Sequence, residues 1–451
     1  MSKERLVVIG GDAAGMSAAS KVRREDAQRE IVVFERSPHT SYSACGLPYL
    51  IAGLVEKAES LVARTPEKFR EKYRIDARIH HEVLAVEPEA RRVRVCNLES
   101  RQEWWEPYDQ LLIATGAVPY CPALPGLAAR GIYGLSTLES GIRIRQVVDS
   151  EKPRQAVIIG GGYIGLEMAE ALILRGLEVA LVQRGHQVMD TLDAEMGELV
   201  SQALREVGVT LYLEEELTGF ETTDGRVQGV QTNRRLLPAD IVILGMGVRP
   251  NSGLAKTAGI PLGVKEAIRV NTRMQTGVEG VWAAGDCVES YHLVSRRPFY
   301  VALGTVANKQ GTVAGINLAC GVATFPGVLG TAVTKVCKSE VARTGLQERD
   351  LRELDLDFVS AVIESRTRAG YYPEAGKITV KVLAEKGSGR LLGGQIVGVE
   401  GAAKRIDVLA TALTAGMTAQ QVVDLDLSYA PPYSPVWDPV QTAARQVLKD
   451  I

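Results

Sequence analysis

Cysteine is scarce in this chain: 451 residues carry six, at positions 45, 96, 121, 287, 320 and 337, with no CxxC or CxxxxC pair among them. So scattered a set suits a reducing compartment better than a disulfide framework. No group of histidines and cysteines has metal-ligand spacing, so no metal site is expected. No apolar run is long enough to span a bilayer. The amino terminus, Met1 to Lys3 followed by a strand, lacks the charged, apolar and small-residue pattern of a signal peptide, so the expected location is cytoplasmic and no membrane partner is expected. Charge of one sign is missing as well. The 52 Lys and Arg against 54 Asp and Glu give a net charge of −2, which offers nothing to draw in nucleic acid. What remains is 46% hydrophobic content spread over a length that suits two to three domains.

Two glycine turns recur about 150 residues apart. The first follows the apolar run Leu6 to Ile9 and reads Gly10-Gly11-Asp12-Ala13-Ala14-Gly15; a small-residue helix follows it. The second follows Ala156 to Ile159 and reads Gly160-Gly161-Gly162-Tyr163-Ile164-Gly165, with a helix through Leu174. Further buried strands come next, Ile31 to Phe34 and Val179 to Val182. Strand, glycine turn, helix and strand make the βαβ unit that places a pyrophosphate on a helix amino terminus. The second motif is complete. In the first, Asp12 stands where the middle glycine belongs, but Glu35 ends the next strand 25 residues after Gly10, where a carboxylate accepts hydrogen bonds from ribose hydroxyls. Gln183 and Arg184 occupy that strand end in the second unit. Without an acid, a 2′-phosphate is not repelled and Arg184 is placed to pair with it, so NADH and NADPH both stay open.

Residues 75–110 alternate partly and read as a β-meander. Pro119, Pro122 and Pro125 mark a crossover between domains. After Phe325 the composition changes: a strand at 377–382 and helices around 402–415 and 418–424 read as an α+β domain. The expected fold is therefore α/β, two Rossmann-like dinucleotide-binding domains plus an α+β carboxy-terminal domain, which the family resemblance given below implies is a dimerisation domain. The expected boundaries are 1–118 with 250–324 for the first, 119–249 for the second and 325–451 for the third. Two short strand exits, Leu111 to Gly116 and Ile241 to Gly247, close the nucleotide units, and Val281 to Asp286 is a short strand ending in Gly-Asp, where Asp286 is placed to hold a ribityl hydroxyl or a phosphate-bridging water.

With these parts in this order, the chain resembles the pyridine nucleotide–disulfide oxidoreductase family over essentially its whole length. The resemblance implies FAD in the first unit, at Gly10, Asp12, Ala13, Ala14, Gly15, Glu35, Arg36, Ser43, Ala114, Thr115, Gly116, Gly285, Asp286, Ala302 and Thr305. It implies NADH or NADPH in the second, at Gly160, Gly162, Tyr163, Ile164, Gly165, Glu167, Gln183, Arg184, Gly245 and Gly247. Tyr163 resembles an aromatic gate over the flavin, and Glu167 the acid beside the nicotinamide. The last domain implies a homodimer.

Cys45, in Ser41-Tyr-Ser-Ala-Cys45-Gly-Leu-Pro-Tyr49, follows the first ribose strand and precedes a helix start at 46–48. A helix amino terminus favours thiolate and is expected to lower the thiol pKa. A second redox cysteine belongs about five residues on, and Leu50 stands there instead, which leaves a mixed disulfide, a persulfide or a sulfenic acid as the available chemistry. The single-cysteine pattern resembles the coenzyme A-disulfide reductase branch, which also holds NADH oxidases and polysulfide reductases. Ala44 stands where several reductases have asparagine. Ser428 to Pro439 resembles the reductase signature, in which Tyr429, with Tyr371, would reach the partner's Cys45 in a shared active site. Lys21, Arg24, Ser41 and Asn308 are expected to meet the substrate, with Lys68 or Lys72 placed to meet its phosphates. The expected activity is NAD(P)H-dependent reduction of a small-molecule disulfide or persulfide, coenzyme A disulfide above all. NADH oxidase, persulfide or polysulfide reductase, and an NAD(P)H-sensing flavoprotein without turnover stand as alternatives.

Overall fold

The computed structural model describes residues 4–451, so the reading of Met1 to Lys3 lies outside the described residues. Each glycine turn sits at the end of a strand in its own five-stranded parallel sheet. In the first sheet Arg5–Ile9 lies between Glu30–Phe34 and Gln110–Ile113, with Val281–Ala283 and Asp76–Arg78 at the edges. In the second, Gln155–Ile159 lies between Glu178–Gln183 and Ile241–Leu244, with Thr210–Leu213 and Ile132–Gly134 outside. Helices cover both faces of such a sheet, so its central strands read as unbroken apolar runs; Leu6 to Ile9 and Ala156 to Ile159 are all buried.

The registers make the two units equivalent. Ile9 pairs with Phe34 and Ile159 with Val182, so Glu35 and Gln183 both fall one residue beyond the paired end. The turns themselves need glycine: Gly10 and Gly160 have φ of 106° and 101°, a region that costs residues with a Cβ. Helices Ala13–Glu25 and Tyr163–Leu174 leave the two turns.

The meander forms as a three-stranded antiparallel sheet, His81–Glu87, Arg92–Asn97 and Glu103–Pro107. A second such sheet at Leu217–Thr223, Arg226–Thr232 and Leu236–Pro238 decorates the second unit. The crossover is a two-stranded antiparallel tie, Ala117–Pro119 against Val248–Pro250.

The carboxy-terminal segment is a five-stranded antiparallel sheet with Leu391–Gly398 at its centre, covered by Ala402–Thr414 and Pro439–Val447. The helices expected around 402–415 and 418–424 form as Ala402–Thr414 and Ala419–Val423, the latter capped by Thr418. This layer is locked onto the second unit by Lys381. Its fully buried ammonium meets Asp193 at 2.9 Å, Glu195 at 2.5 Å and Glu348 at 2.6 Å, and three acceptors satisfy the charge that burial strips of water. Among the described residues no helix is long and apolar enough to cross a membrane.

Candidate active site

The loop carrying Cys45 is sewn to the first glycine turn. Ser41 N–H donates to the Gly11 carbonyl at 2.9 Å, and Tyr42 N–H donates to Asp12 Oδ1 at 3.1 Å. On its other side Ser43 N–H donates to the Leu61 carbonyl at 2.8 Å. Cys45 then falls in a 3₁₀ turn, Ala44–Gly46, directly before the short helix Leu47–Ala52, whose first turn contains Pro48. The second unit clamps that helix from outside. Gly141 of Leu138–Glu151 has no Cβ, which would fall 2.7 Å from Leu47. Arg145 donates to the Leu50 carbonyl at 2.5 Å, and Arg175 to the Ile51 carbonyl at 3.2 Å. The sulfur is thus positioned by both nucleotide units.

The expected helix forms, but the expected lowering of the thiol pKa does not follow. The Cys45 thiol is held above the ordinary cysteine value, first by the protein packed around its inner side and then by the charges of Glu167, Asp286 and Asp12. A helix of only six residues carries too small a dipole to outweigh three acids. Those acids are themselves displaced by burial. Asp12 is pushed up to about 7, with Glu35 and Asp286 adding to the effect, and Asp286 to about 6. Glu167 is raised by burial, although the Thr334 hydroxyl, donating to its Oε1 at 2.9 Å, pulls the other way. Glu167→Gln is accordingly expected to lower the Cys45 pKa and to speed iodoacetamide labelling of the Cys45 peptide near pH 7.5, because the thiolate is the species alkylated. An unchanged rate by mass spectrometry would show that this carboxylate does not act on the sulfur.

The two glycine turns bind their ribose-side residues alike. Gly11 N–H donates to Glu35 Oε2 at 2.7 Å, and Ser37 N–H to Glu35 Oε1 at 2.8 Å. Gly161 N–H donates to Gln183 Oε1 at 2.9 Å, so a neutral amide does in the second unit what a carboxylate does in the first. Arg184 beside it is exposed and has no ion pair among the described residues. Tyr163 opens its helix at the turn, and its hydroxyl accepts from Arg343 Nε at 3.4 Å. Thr334 and Arg343 both belong to the carboxy-terminal hairpin, Ala332–Val336 and Ser339–Gly345, and no sequence pattern announces that it reaches Glu167 and Tyr163. Ile164 lies in the same helix, and Gly245 backs the Gly160 turn, 2.4 Å from where a Gly160 Cβ would sit.

Around the first turn, Ala114 lies behind Gly10, the Thr115 hydroxyl donates to the Asn251 carbonyl at 2.6 Å, and Gly116 accepts from Asn251 N–H at 2.9 Å. Gly285 N–H donates to Gln310 Oε1 at 2.9 Å. Asp286 Oδ1 is buried with no hydrogen-bond partner. Ala302 and Thr305 flank the start of helix Gly304–Leu318, which packs along Ala13–Glu25; Arg36 and Ser43 are exposed.

Between those two helices and the Cys45 loop lies a cleft of about 230 Å³. Arg24, Ser41 and Asn308 line it, together with Ser17, Ser20, Arg64, Tyr73 and Thr312, which sequence spacing does not bring together. Arg64 sits over the Tyr73 ring at 5.3 Å, and the Ser20 hydroxyl is buried without a partner. Lys21 is not in the lining; its ammonium is paired with Glu25 at 2.5 Å, one helical turn on. Lys72 covers the Tyr73 ring, and the Lys68 N–H donates to the hydroxyl of Thr65, which caps its helix.

Tyr371 and Tyr429 stand together on the carboxy-terminal segment, with Tyr371 78% and Tyr429 46% exposed. A hydrogen bond to Tyr371 raises the Tyr429 pKa. Among the described residues, neither hydrogen-bonds the Cys45 loop of its own chain. Tyr433 and Trp437, further along the same segment, are exposed aromatics as well.

Two dinucleotide folds in one chain, with a cysteine held where they meet, define an oxidoreductase that handles two nucleotides. Residues 4–311 match the family model described as pyridine nucleotide-disulphide oxidoreductase, and residues 331–439 match that family's dimerisation domain. The chain belongs to this family. It is 40% identical over 448 residues to the NAD(P)H sulfur oxidoreductase (CoA-dependent) of Pyrococcus abyssi, covering 99% of this chain and 98% of that one. It is 31% identical to the coenzyme A disulfide reductase of Staphylococcus haemolyticus, over 95% and 96% of the two chains. The structure of an NAD-dependent persulfide reductase from A. fulgidus superposes with a TM-score of 0.96 at 40% identity, covering 99% of this chain and 83% of that one.

The family implies FAD and NAD(P)H, and the residues fit them. The unpartnered Asp286 oxygen is a buried acceptor awaiting a hydroxyl, and a Cβ at Gly162 would meet nothing within 4 Å, which leaves a backbone open to a pyrophosphate.

Proposed function

We propose that the chain is an FAD-dependent NAD(P)H:disulfide oxidoreductase that reduces coenzyme A disulfide through a mixed disulfide at Cys45. The cleft carries this reading. It starts beside Ser41, on the loop that holds the sulfur, and two arginines and five hydroxyl side chains line it, a donor set for a phosphorylated thiol. Arg24 faces it without an ion pair among the described residues.

Cys45 thiolate attacks one sulfur of the substrate, forming the Cys45–coenzyme A disulfide and expelling the first coenzyme A as thiolate. Bound FAD supplies the relay that passes two electrons from NAD(P)H to that disulfide. The second coenzyme A then leaves and Cys45 returns to thiolate. The chain's own share is placement and charge. Glu35 and Gln183 fix the two ribose ends, Tyr163 covers the approach of the nicotinamide, and Glu167 lies beside it. Gln183 and Arg184 admit either NADH or NADPH. The exposed aromatics of the carboxy-terminal segment pair two copies, and Tyr371 and Tyr429 deliver a proton to the thiolate leaving the partner subunit's Cys45.

Persulfide reduction is the second reading, supported by the likeness to the A. fulgidus protein; there the Cys45 thiolate takes the outer sulfur of coenzyme A persulfide, expelling coenzyme A thiolate, and the two electrons from NAD(P)H then cleave the Cys45 persulfide to restore the thiolate and release sulfide. Anaerobic kinetics separate the two. Arg24→Ala is expected to raise KM about tenfold for coenzyme A disulfide and coenzyme A persulfide alike, the effect of one charge-assisted contact, and to leave KM for inorganic polysulfide unchanged. An equal change for all three substrates would remove coenzyme A from the cleft. The ratio of kcat/KM between disulfide and persulfide decides which is the physiological sulfur.

A further inference from the structure

We propose that Asp12 is a positioning residue with two tasks: one oxygen ties the Cys45 loop to the first glycine turn, and the other carries a proton while a dinucleotide phosphate occupies that turn. The proposal rests on the reading that FAD binds the first unit.

Asp12 occupies the middle glycine position of its motif. The matching residue of the second turn, Gly162, faces open space, the space a pyrophosphate needs. An ionised carboxylate at that position would set a third negative charge against the phosphates. The titratable groups that face it are Glu35 at the end of strand Glu30–Phe34, Asp286 after strand Val281–Ala283, and Tyr42 and Cys45 on the loop that its Oδ1 holds. None of these is a cation, and no ion pair reaches Asp12 among the described residues. The neutral acid avoids the conflict and turns its second oxygen into a donor. Burial and the neighbouring acids push Asp12 up to about 7 before any phosphate is present, and added negative charge pushes the same way.

The other oxygen serves the chemistry from a distance. Tyr42 N–H donates to Oδ1 at 3.1 Å, three residues before Cys45. With the Ser41 bond to the Gly11 carbonyl, it makes the glycine turn and the cysteine loop one unit. Occupancy of the turn and placement of the sulfur are thereby linked through a single side chain.

A group whose pKa rises on binding takes up a proton, so affinity is full below its free pKa and falls as pH rises above it. FAD binding to the flavin-stripped full-length protein, followed by flavin fluorescence from pH 6 to 9, is expected to weaken by up to tenfold per pH unit above about pH 7. Asp12→Asn keeps an acceptor for Tyr42 and a donor toward phosphate, so it is expected to match the wild type at pH 6 and to show no such slope. Asp12→Ala should also lose the slope, and in addition should speed labelling of the Cys45 peptide, because the loop is untied. A slope that survives in Asp12→Asn, or FAD bound more than tenfold more weakly by that variant at pH 6, overturns the protonated role. Equal Cys45 labelling in the asparagine and alanine variants overturns the tie. Failure of the wild type to bind FAD at all would strike the underlying reading instead, and that result looks different from any of these.

Discussion

Cys45→Ser is expected to lower the turnover of coenzyme A disulfide, coenzyme A persulfide and polysulfide at least about 10³-fold, equivalent to roughly 4 kcal/mol of barrier, while dye reduction by NAD(P)H persists. A serine hydroxyl keeps the size of the side chain and loses the only atom here that can form and break a sulfur–sulfur bond. The 3₁₀ turn at Ala44–Gly46 and the clamps on helix Leu47–Ala52 do not involve the sulfur, so the loop stays in place and the nucleotide sites are untouched. Single-turnover kinetics check both halves. Sulfur turnover at the wild-type rate would remove the mixed disulfide, and loss of dye reduction would show that Cys45 also supports the nucleotide sites.

Gly162→Val should separate binding from folding. At φ −87° and ψ −173° this residue is extended, a conformation that valine adopts readily, and a Cβ there meets no protein atom within 4 Å. The protein should therefore keep its melting temperature within a degree or two. The added methyl groups would fill the space above the turn that the pyrophosphate of NAD(P)H needs, and overpacking of that kind costs about 1–3 kcal/mol. KM for NADH and NADPH is expected to rise by roughly 10- to 100-fold, with the visible flavin spectrum unchanged. A variant with normal KM would move the nicotinamide nucleotide away from the second glycine turn. The contrast with Asp12 is instructive: the first turn already carries a side chain at this position, and tolerates it only because that side chain can be neutral.

Much of this architecture is written in local patterns. Apolar runs ending in glycine turns specify parallel strands whose carboxyl ends face a nucleotide, since the turn must be tight and the helix amino terminus must be free. That logic puts Gly10 and Gly160 in the turns and Glu35 and Gln183 at the strand ends, because each position depends on neighbours a few residues away or on one strand register. The strand expected at 377–382 forms within Lys377–Glu385 of the antiparallel sheet.

The sequence by itself therefore determined the two nucleotide folds and the third domain, and singled out the Cys45 sulfur as the candidate for reaction. Tertiary structure decided what surrounds that sulfur. The protein packed around Cys45, followed by Glu167, Asp286 and Asp12 from three distant stretches of chain, raises its pKa and outweighs the helix terminus that local reasoning relied on. Lys21 is removed from the cleft by Glu25, while Arg64 and Tyr73 are brought in. Electrostatics and desolvation depend on distance in space, and no spacing along the chain encodes distance between domains.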